Sequence, residues 1–587
     1  MRGLTRRWVL AAAAGEAPAE LASLHLPPLL ERILLSRGLT DPRAVQHFCE
    51  PRLTDLHDPS LMPNLDLAVE RLIDAVRGDR SIVIYGDYDV DGIAATSILF
   101  HVIKAVAPEA DVRRYVPHRL EEGYGLNAEA LKKIRAGGTD LVITVDCGVT
   151  APAEAQLARE IGLELIITDH HHLPNGEDKL PEALIVHPRL PGSEYPFGDL
   201  CGAGVAFKLA WRFATAWCGS QRVSECLQKI LLEMLPLAAL GTIADVVPLV
   251  GENRVITSFG LRLIKQTSLP GLRALIEASD LMGGNIDSEK VGFILAPRLN
   301  ACGRMGHAAE AVRLLTDAAP EEAAPIARRL AQLNRQRQRT ERTIFEQAAR
   351  RAEDAGMTGG NKRAIVLADT AWHPGVVGIV CSRLVDRFGR PAVLMQRHGE
   401  LCKGSARSID GYSIHEGLLA CAEHLTTFGG HDMAAGLTLP ADRLHAFAEA
   451  LIAHANERIT VEQLTPELRI DCDASLLELD FPTVKRIIAL SPFGRANRRP
   501  AVRLQGATLL EAPRQIGAHG RHLSVRFRQD EGGCRRVMRG VWWGAGSRAA
   551  DLAPGMHLDA VIEPKLNEFN GRVSVEAEIR DVMVKEA

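Results

Sequence analysis

The chain has 587 residues, several times the ~100 to 150 of a single domain, so roughly two to four domains are expected. Lys plus Arg total 69 and Asp plus Glu 73, a formal charge of -4 that excludes a uniformly basic nucleic-acid binder; any polyanion must be gripped locally. With 46% hydrophobic and 24% charged residues, the composition is that of a globular protein with a large core and excludes a disordered one.

Eleven cysteines, odd in number, scattered and never spaced C-x-x-C, argue against a disulfide framework or a zinc ribbon and for a reducing compartment; a cytoplasmic location is expected. No apolar run is read as reaching the ~18 residues of a membrane span, so no membrane association is expected. Arg6-Arg7 followed by Trp8 to Gly15 superficially resembles a twin-arginine export signal. Its apolar stretch is only about eight residues and runs straight into Glu16, so it is read as part of an N-terminal extension over residues 1–50.

From Ser81 to about Pro188 short apolar runs alternate with amphipathic stretches. Strands are expected at Ser81–Gly86, Asp111–Val116, Leu141–Asp146, Leu163–Asp169 and Ala183–His187, with helices at Ile93–Val106, Asn127–Arg135 and Thr150–Ile161. Strands rich in Val and Ile without polar alternation, separated by helices, indicate a mainly parallel sheet covered on both faces. Helical segments follow at about 203–218 and 224–242. Between Thr316 and about Gly356 there is no strand signal and no proline after Pro325, and the composition favours a continuous helix roughly 45 Å long. A second, smaller α/β pattern comes next: strands at Ala364–Ala368, Ala392–Gln396, Leu401–Ile409 and Ala435–Leu439, with helices at Val376–Phe388 and near 413–424 and 441–457. From about 500 the texture changes to short β-like runs broken by Gly, Asn and Asp, as in a small barrel. Residues 491–550 hold twelve Arg and no Lys against three acidic residues, a net of +9, so the rest of the chain carries -13.

The chemistry lies at strand ends. Asp87-Tyr-Asp89-Val-Asp91-Gly92 suggests an EF-hand loop, but such a loop has a glutamate at its twelfth position, here Ile98, and a helix ahead of it; both are missing. Carboxylates that follow a buried strand and lead into a helix crowd instead at the carboxyl edge of a parallel sheet, where ligands of open α/β sheets bind. Later strands end in Asp146-Cys147-Gly148 and Asp169-His170-His171-His172, and an apolar helix ends at Asp245. One such aspartate is as well explained by a cap or a turn. Three clusters together repel one another unless cations neutralise them. Carboxylates with a minority of imidazoles suit Mn²⁺ or Mg²⁺, and two ions ~3.5 to 4 Å apart can activate water and stabilise in-line displacement at phosphorus. Metal-assisted phosphoester hydrolysis is the chemistry these residues point to.

Asp87-Tyr-Asp-Val-Asp-Gly92, Val145-Asp-Cys-Gly148, Asp169-His-His171, Ala244-Asp-Val-Val247, Arg298-Leu-Asn-Ala-Cys-Gly-Arg304 and Gly429-Gly-His431 resemble the ordered motifs of the DHH phosphoesterase family, specifically its single-strand-specific 5′-to-3′ DNA exonucleases. The resemblance covers most of the chain. It implies an α/β fold class: a parallel-sheet DHH catalytic domain (51–315), a long connecting helix (316–358), a smaller α/β DHH-associated domain (359–460) and an OB-like β-barrel with its lead-in (461–587). It also implies two ions, Mn²⁺ or Mg²⁺, one held by Asp89 and Asp146 and the other by Asp91, Asp146, His170 and Asp245. Many members have a histidine where this chain has Tyr85, and Asp87 is the residue expected to compensate as a ligand. His171 is expected to face the scissile phosphate, or alternatively to fix His170, and His431 is expected to contact substrate.

Arg298, Asn300 and Arg304 suit phosphate contacts, although a Gly- and Asn-containing stretch also reads as a turn. By resemblance, Ser405 and Arg407, with Arg119, hold the terminal 5′ phosphate. The basic barrel suits a single strand, with Trp542, Trp543, Phe527 or Phe569 as stacking platforms, and the arginines at 328, 329, 335, 337, 339 and 342 either line the same path or form a solvated face. The implied activity is processive hydrolysis of single-stranded DNA from the 5′ end, in repair and recombination, by a monomer working with a single-strand-binding protein and a helicase. The alternatives are a DHH phosphodiesterase acting on small nucleotides, and a non-catalytic scaffold that binds single strands.

Overall fold

The computed structural model describes residues 1–587 except 13–17, 120, 175, 177–178, 221, 570 and 586–587; of Ala19 and Phe569 it describes the backbone only. Contacts divide the chain into two units, one comprising Glu50–Arg337 and Ser491–Arg498, the other Met1–Cys49, Gln338–Leu490 and Arg499–Ala587.

In the first unit the Val- and Ile-rich runs become strands β1 (Ile82–Gly86), β2 (Val112–Tyr115), β3 (Leu141–Val145), β4 (Glu164–Thr168) and β5 (Leu184–Val186). All pair in parallel, in the order β2-β1-β3-β4-β5. Every residue of β1 and β3 is buried, as a sheet with both faces covered requires. On one face lie Val83, Tyr85 and Val142 with Leu131 and Ala155 of the short flanking helices. On the other, Ile82, Ile84 and Ile143 join the main core, built around helix α1 (Val90–Val106). Helix α1 is mostly apolar and largely buried, and packs among α2 (Gly202–Trp217) and α3 (Glu225–Ala244). One expectation needs correcting here: α3 is long and apolar enough to cross a membrane by length and composition. Its apolar residues, Leu235 and Leu240 among them, are core residues packed against α1 and α4 (Gly251–Leu263).

Helix α5 (Ala296–Met305) follows a π-helical turn, Val291–Leu295, and the long helix is α6 (Pro320–Asp354). At 35 residues α6 exceeds the expected length, because Pro325 lies in its second turn and removes only one backbone hydrogen bond there.

In the second unit, strands β6 (Ile365–Asp369), β7 (Ala392–His398), β8 (Leu401–Arg407), β9 (Thr427–His431) and β10 (Ala434–Pro440) form a sheet in the order β9-β10-β8-β7-β6, parallel only between β6 and β7. Strand β9 lies outside the expected set; two glycines in five residues hide it. Five of the remaining strands close a barrel: β11 (Val502–Leu509), β12 (His522–Glu531), β13 (Cys534–Trp542), β14 (His557–Phe569) and β15 (Arg572–Val584) pair in the cycle β11-β14-β15-β13-β12 and back to β11.

The N-terminal segment is built into this unit. Arg7–Leu10 pairs in parallel with Glu467–Ile470, and Trp8 is buried beside Ile470 and Val561. Its anchor is Asp581, a fully buried barrel carboxylate that accepts from Trp8 Nε1 (2.8 Å), Arg6 N (3.0 Å), Thr5 N (3.1 Å) and Thr5 Oγ1 (2.9 Å). Removing the acceptor strands the buried Trp8 Nε1 donor and leaves three part-buried donors of Thr5 and Arg6 without their partner. We therefore expect Asp581→Ala to cost about 2 to 4 kcal/mol and to expose residues 1–10 to protease, checked by urea unfolding and limited proteolysis. Unchanged cleavage near the N-terminus would contradict the anchoring role.

Candidate metal centre

In the order β2-β1-β3-β4-β5 the chain leaves β1 toward one edge and returns at β3 toward the other, which opens a crevice at the carboxyl ends of these two strands. Asp87 and Asp89 follow β1, Asp91 lies in the first turn of α1, Asp146 follows β3, His170 and His171 follow β4, and Asp245 caps the end of α3. The fold thus brings all seven to one place. Ligand atoms of Asp87, Asp89 and Asp146 lie within 4.8 Å of one another, as do those of Asp91, His170 and Asp245, and those of Asp146, His170 and His171. His170 Nε2 is 3.1 Å from Asp146 Oδ1, 3.6 Å from Asp245 Oδ2 and 3.7 Å from Asp91 Oδ2.

Local backbone chemistry holds each group in place. Asp89 caps α1, its Oδ1 accepting from Asp91 N and Gly92 N, so the capping role and membership of the acidic group coexist. Asp91 lies against the start of α2, where Gly202 N (2.6 Å) and Ala203 N (2.8 Å) donate to its two oxygens. Asp146 sits at φ +65°, a left-handed conformation that aspartate tolerates better than most residues and that turns its carboxylate into the crevice group. Asp169 accepts from Val149 N, His170 N, His171 N and His171 Nδ1, the last at 2.7 Å. Tyr124 adds its hydroxyl 3.2 Å from His171 Nδ1.

The electrostatics follow from crowding. Burial, reinforced by neighbouring carboxylates, pushes Asp87 and Asp146 well above the usual carboxylate range, and burial also raises Asp91 although His170 opposes it. Burial, with Asp91 and Asp89, lifts Asp245 to about 8. Burial holds His170 down at about 4, so its ring is neutral. It also works against charge on His171, but the hydrogen bond and charge of Asp169 outweigh it and raise His171 to about 9; the same contact keeps Asp169 below its ordinary value.

A cation fits this donor set. Asp87 Oδ1, Asp146 Oδ1 and His170 Nε2 are buried without a hydrogen-bond partner, even though His170 Nε2 and Asp146 Oδ1 are only 3.1 Å apart. Buried polar atoms are rarely left unpaired, and three in one cluster of acceptors call for a positive centre. Tyr85 takes no part: its buried hydroxyl donates to Gly125 O (3.0 Å) and its ring stacks on Tyr115. Asp87 lies in the group with Asp89 and Asp146.

The other expected residues are placed as follows. The guanidinium of Arg119 lies over the Tyr88 ring, 4.7 Å from its centroid. Arg298, Asn300 and Arg304 are on α5, so the stretch is a helix and the turn reading is overturned. Arg298 Nη1 donates to Ile294 O (2.6 Å), which commits part of its fork to the π-helical turn ahead of α5. In the second unit, Ser405 and Arg407 share one face of β8, and His431 is exposed at the end of edge strand β9. Trp542, expected to stack on a base, is only 5% exposed and belongs to the barrel core, as does Phe527. Trp543, just past the end of β13, is 50% exposed and sits edge-on to His522. The side chain of Phe569 lies outside the described residues. Tyr124 joins the site without having been expected there, and Asp169, counted among the strand-end clusters but given no role, turns out to hold His171. Asp169 is visible in the sequence beside the histidines, whereas nothing in the run Glu121 to Asn127 announces Tyr124.

Comparison with known proteins agrees with this geometry. Residues 81–242 match the DHH family N-terminal domain, 361–457 the DHHA1 domain and 470–581 the RecJ OB domain. The chain is 38% identical over 566 residues to the single-stranded-DNA-specific exonuclease RecJ of Bacillus subtilis, covering 96% of this chain and 69% of that protein. It is 35% identical to RecJ of Thermus thermophilus, covering 96% and 78%. The crystal structure of RecJ in complex with Mn²⁺ from Thermus thermophilus superposes with a TM-score of 0.82 at 31% identity, over 99% of this chain and 80% of that one. A second structure, exonuclease RecJ bound to manganese, gives 0.59 at 37% identity over 70% and 98%. From its crevice carboxylates to its closed barrel, the chain belongs to the RecJ family.

Proposed function

We propose that this chain is a metal-dependent exonuclease that hydrolyses single-stranded DNA processively from the 5′ end, releasing 5′ mononucleotides. The observation that carries the reading is the trio of buried, unpartnered acceptors Asp87 Oδ1, Asp146 Oδ1 and His170 Nε2 at the sheet's switch point. Asp87, Asp89 and Asp146 would hold one Mn²⁺ or Mg²⁺ ion and Asp91, Asp146, His170 and Asp245 the other, with Asp146 shared. When bound, the two ions supply the charge that activates water and stabilises the in-line phosphoryl transition state.

The chain's own residues supply the rest. His171, kept cationic by Asp169, offers a proton or hydrogen bond to the scissile phosphate. Arg119, Arg298, Asn300, Arg304, Ser405, Arg407 and His431 are assigned to substrate contacts. On the barrel Arg526 stands directly across from Arg539, and like charges so placed disfavour the sheet unless acidic groups join them. Glu576 meets Arg539, and the polyanionic strand is assigned to Arg526. The half-exposed Trp543 replaces Trp542 as the stacking platform. A monomer in the cytoplasm, working with a single-strand-binding protein and a helicase in repair and recombination, completes the proposal.

The test uses 5′- and 3′-labelled single strands and duplexes with Mn²⁺ or EDTA. The expected result is early release of the 5′ label as mononucleotide, from single strands only and only with metal. Early release of the 3′ label, or cutting in EDTA, would overturn the reading; tight binding without cutting would favour a scaffold.

A further inference from the structure

Glycine is the poorest helix former after proline, so a helical glycine needs a reason. Gly202 opens α2 and Gly241 lies inside α3, yet neither has the positive φ that would explain it. What they share is a neighbour. A Cβ on Gly202 would fall 2.5 Å from both Cβ and Oδ1 of Asp146. One on Gly241 would fall 2.6 Å from the Cβ of Ala203 and closer still to Asp91 Oδ1. The Gly202 amide itself donates to Asp91 Oδ2.

We infer that Gly202 and Gly241 are positioning residues of the metal centre, a reading that rests on the two-ion assignment above. The space their missing side chains leave is occupied by the carboxylates of Asp91 and Asp146. Both helices can therefore approach until the α2 amides hold Asp91 and α3 delivers Asp245. A methyl group at either site displaces a carboxylate by more than a metal–oxygen bond tolerates, because the backbone behind it is packed: Gly202, Ala203 and Gly241 are all buried. The two positions differ in what they disturb. Gly241 touches Asp91, a ligand of one ion, whereas Gly202 touches Asp146, shared by both.

The experiment compares wild type with Gly241→Ala, Gly202→Ala and, as a control on open backbone, Gly283→Ala, which would meet nothing within 4 Å. Mn²⁺ binding is measured by titration calorimetry and melting by scanning fluorimetry in EDTA. Wild type and Gly283→Ala should bind two ions. Gly241→Ala should melt in EDTA below the wild-type temperature, since crowding against the Ala203 Cβ outweighs the gain in helix propensity, while losing about tenfold or more in affinity for one ion. Gly202→Ala should weaken both. If wild type binds no Mn²⁺, the metal assignment itself fails. If wild type binds two ions and a folded glycine variant binds both equally well, the positioning role fails alone, as it does if melting drops while metal affinity holds. Either variant decides by itself, so misfolding of one leaves the other as the test.

Discussion

Asp146→Asn should lower exonuclease activity about 10³-fold or more at saturating Mn²⁺, and at the same time make the metal-free protein more stable. The loss follows from position. Asp146 groups with Asp87 and Asp89 on one side, and its Oδ1 lies 3.1 Å from His170 of the group with Asp91 and Asp245 on the other, so among the described residues it is the carboxylate that joins the two proposed ion sites. Forfeiting roughly 4 kcal/mol of transition-state stabilisation corresponds to 10³ in rate at 1.36 kcal/mol per tenfold. The gain follows from electrostatics. The Asp146 carboxylate is buried among Asp91, Asp89, Asp87 and Asp245, and without cations every one of these opposes its charge. Asparagine keeps the shape, tolerates the left-handed backbone at φ +65° and removes the charge. Melting in EDTA should rise and the melting increment on adding Mn²⁺ should shrink. Activity within tenfold of wild type, or a metal-free protein less stable than wild type, would refute the shared-ligand assignment.

The crevice was legible in the sequence because parallel strands announce themselves: Ile82 to Gly86 and Leu141 to Val145 have no polar face, so both ends of each are punctuated and the carboxylates after them must share an edge. What could not be read there depends on partners far away in sequence. Arg7–Leu10 is too short to be read as a strand until Glu467–Ile470 pairs with it and Asp581 captures Trp8. Strand β9 has two glycines where a strand prefers branched side chains, and it exists because β10 pairs with it. The Trp542-Trp543 pair shows the same limit at finer scale. Trp542 is the last residue of β13 and Trp543 lies just past it, and which of the two points inward is set by the barrel's closure, which sent Trp542 into the core. The near-zero charge of the chain excluded a uniformly basic binder and nothing more, because it averages a carboxylate crevice with an arginine-rich barrel.

Metal binding and pH should be coupled in the window from about 6.5 to 8. Asp245 carries a proton up to about 8 in the folded, metal-free protein, whereas in an unfolded chain it loses it near 4. The folded state therefore binds more protons, and the stability this lends, complete below pH 4, is lost as pH rises through 8. His171 acts in the same sense, from its ordinary 6.5 to about 9. His170 acts in the opposite sense, because its folded value of about 4 lies below 6.5; stability gained from it grows between those values and is constant above them. Above pH 6.5 nothing from His170 offsets the other two, so in EDTA the melting temperature of the first unit should fall from pH 6.5 to 8.5. A divalent ion reverses the trend. To ligate, Asp245 must release its proton, so the apparent Mn²⁺ affinity should climb with pH by up to about tenfold per unit for each proton displaced and level off above 8. Scanning fluorimetry in EDTA and in excess Mn²⁺, with calorimetric titrations in buffers of different ionisation heat to count released protons, would read both effects. A melting temperature in EDTA that is flat or rising over this interval, together with Mn²⁺ affinity independent of pH, would show that Asp245 is already ionised and that the carboxylates of the crevice are neutralised by something other than the proposed ions.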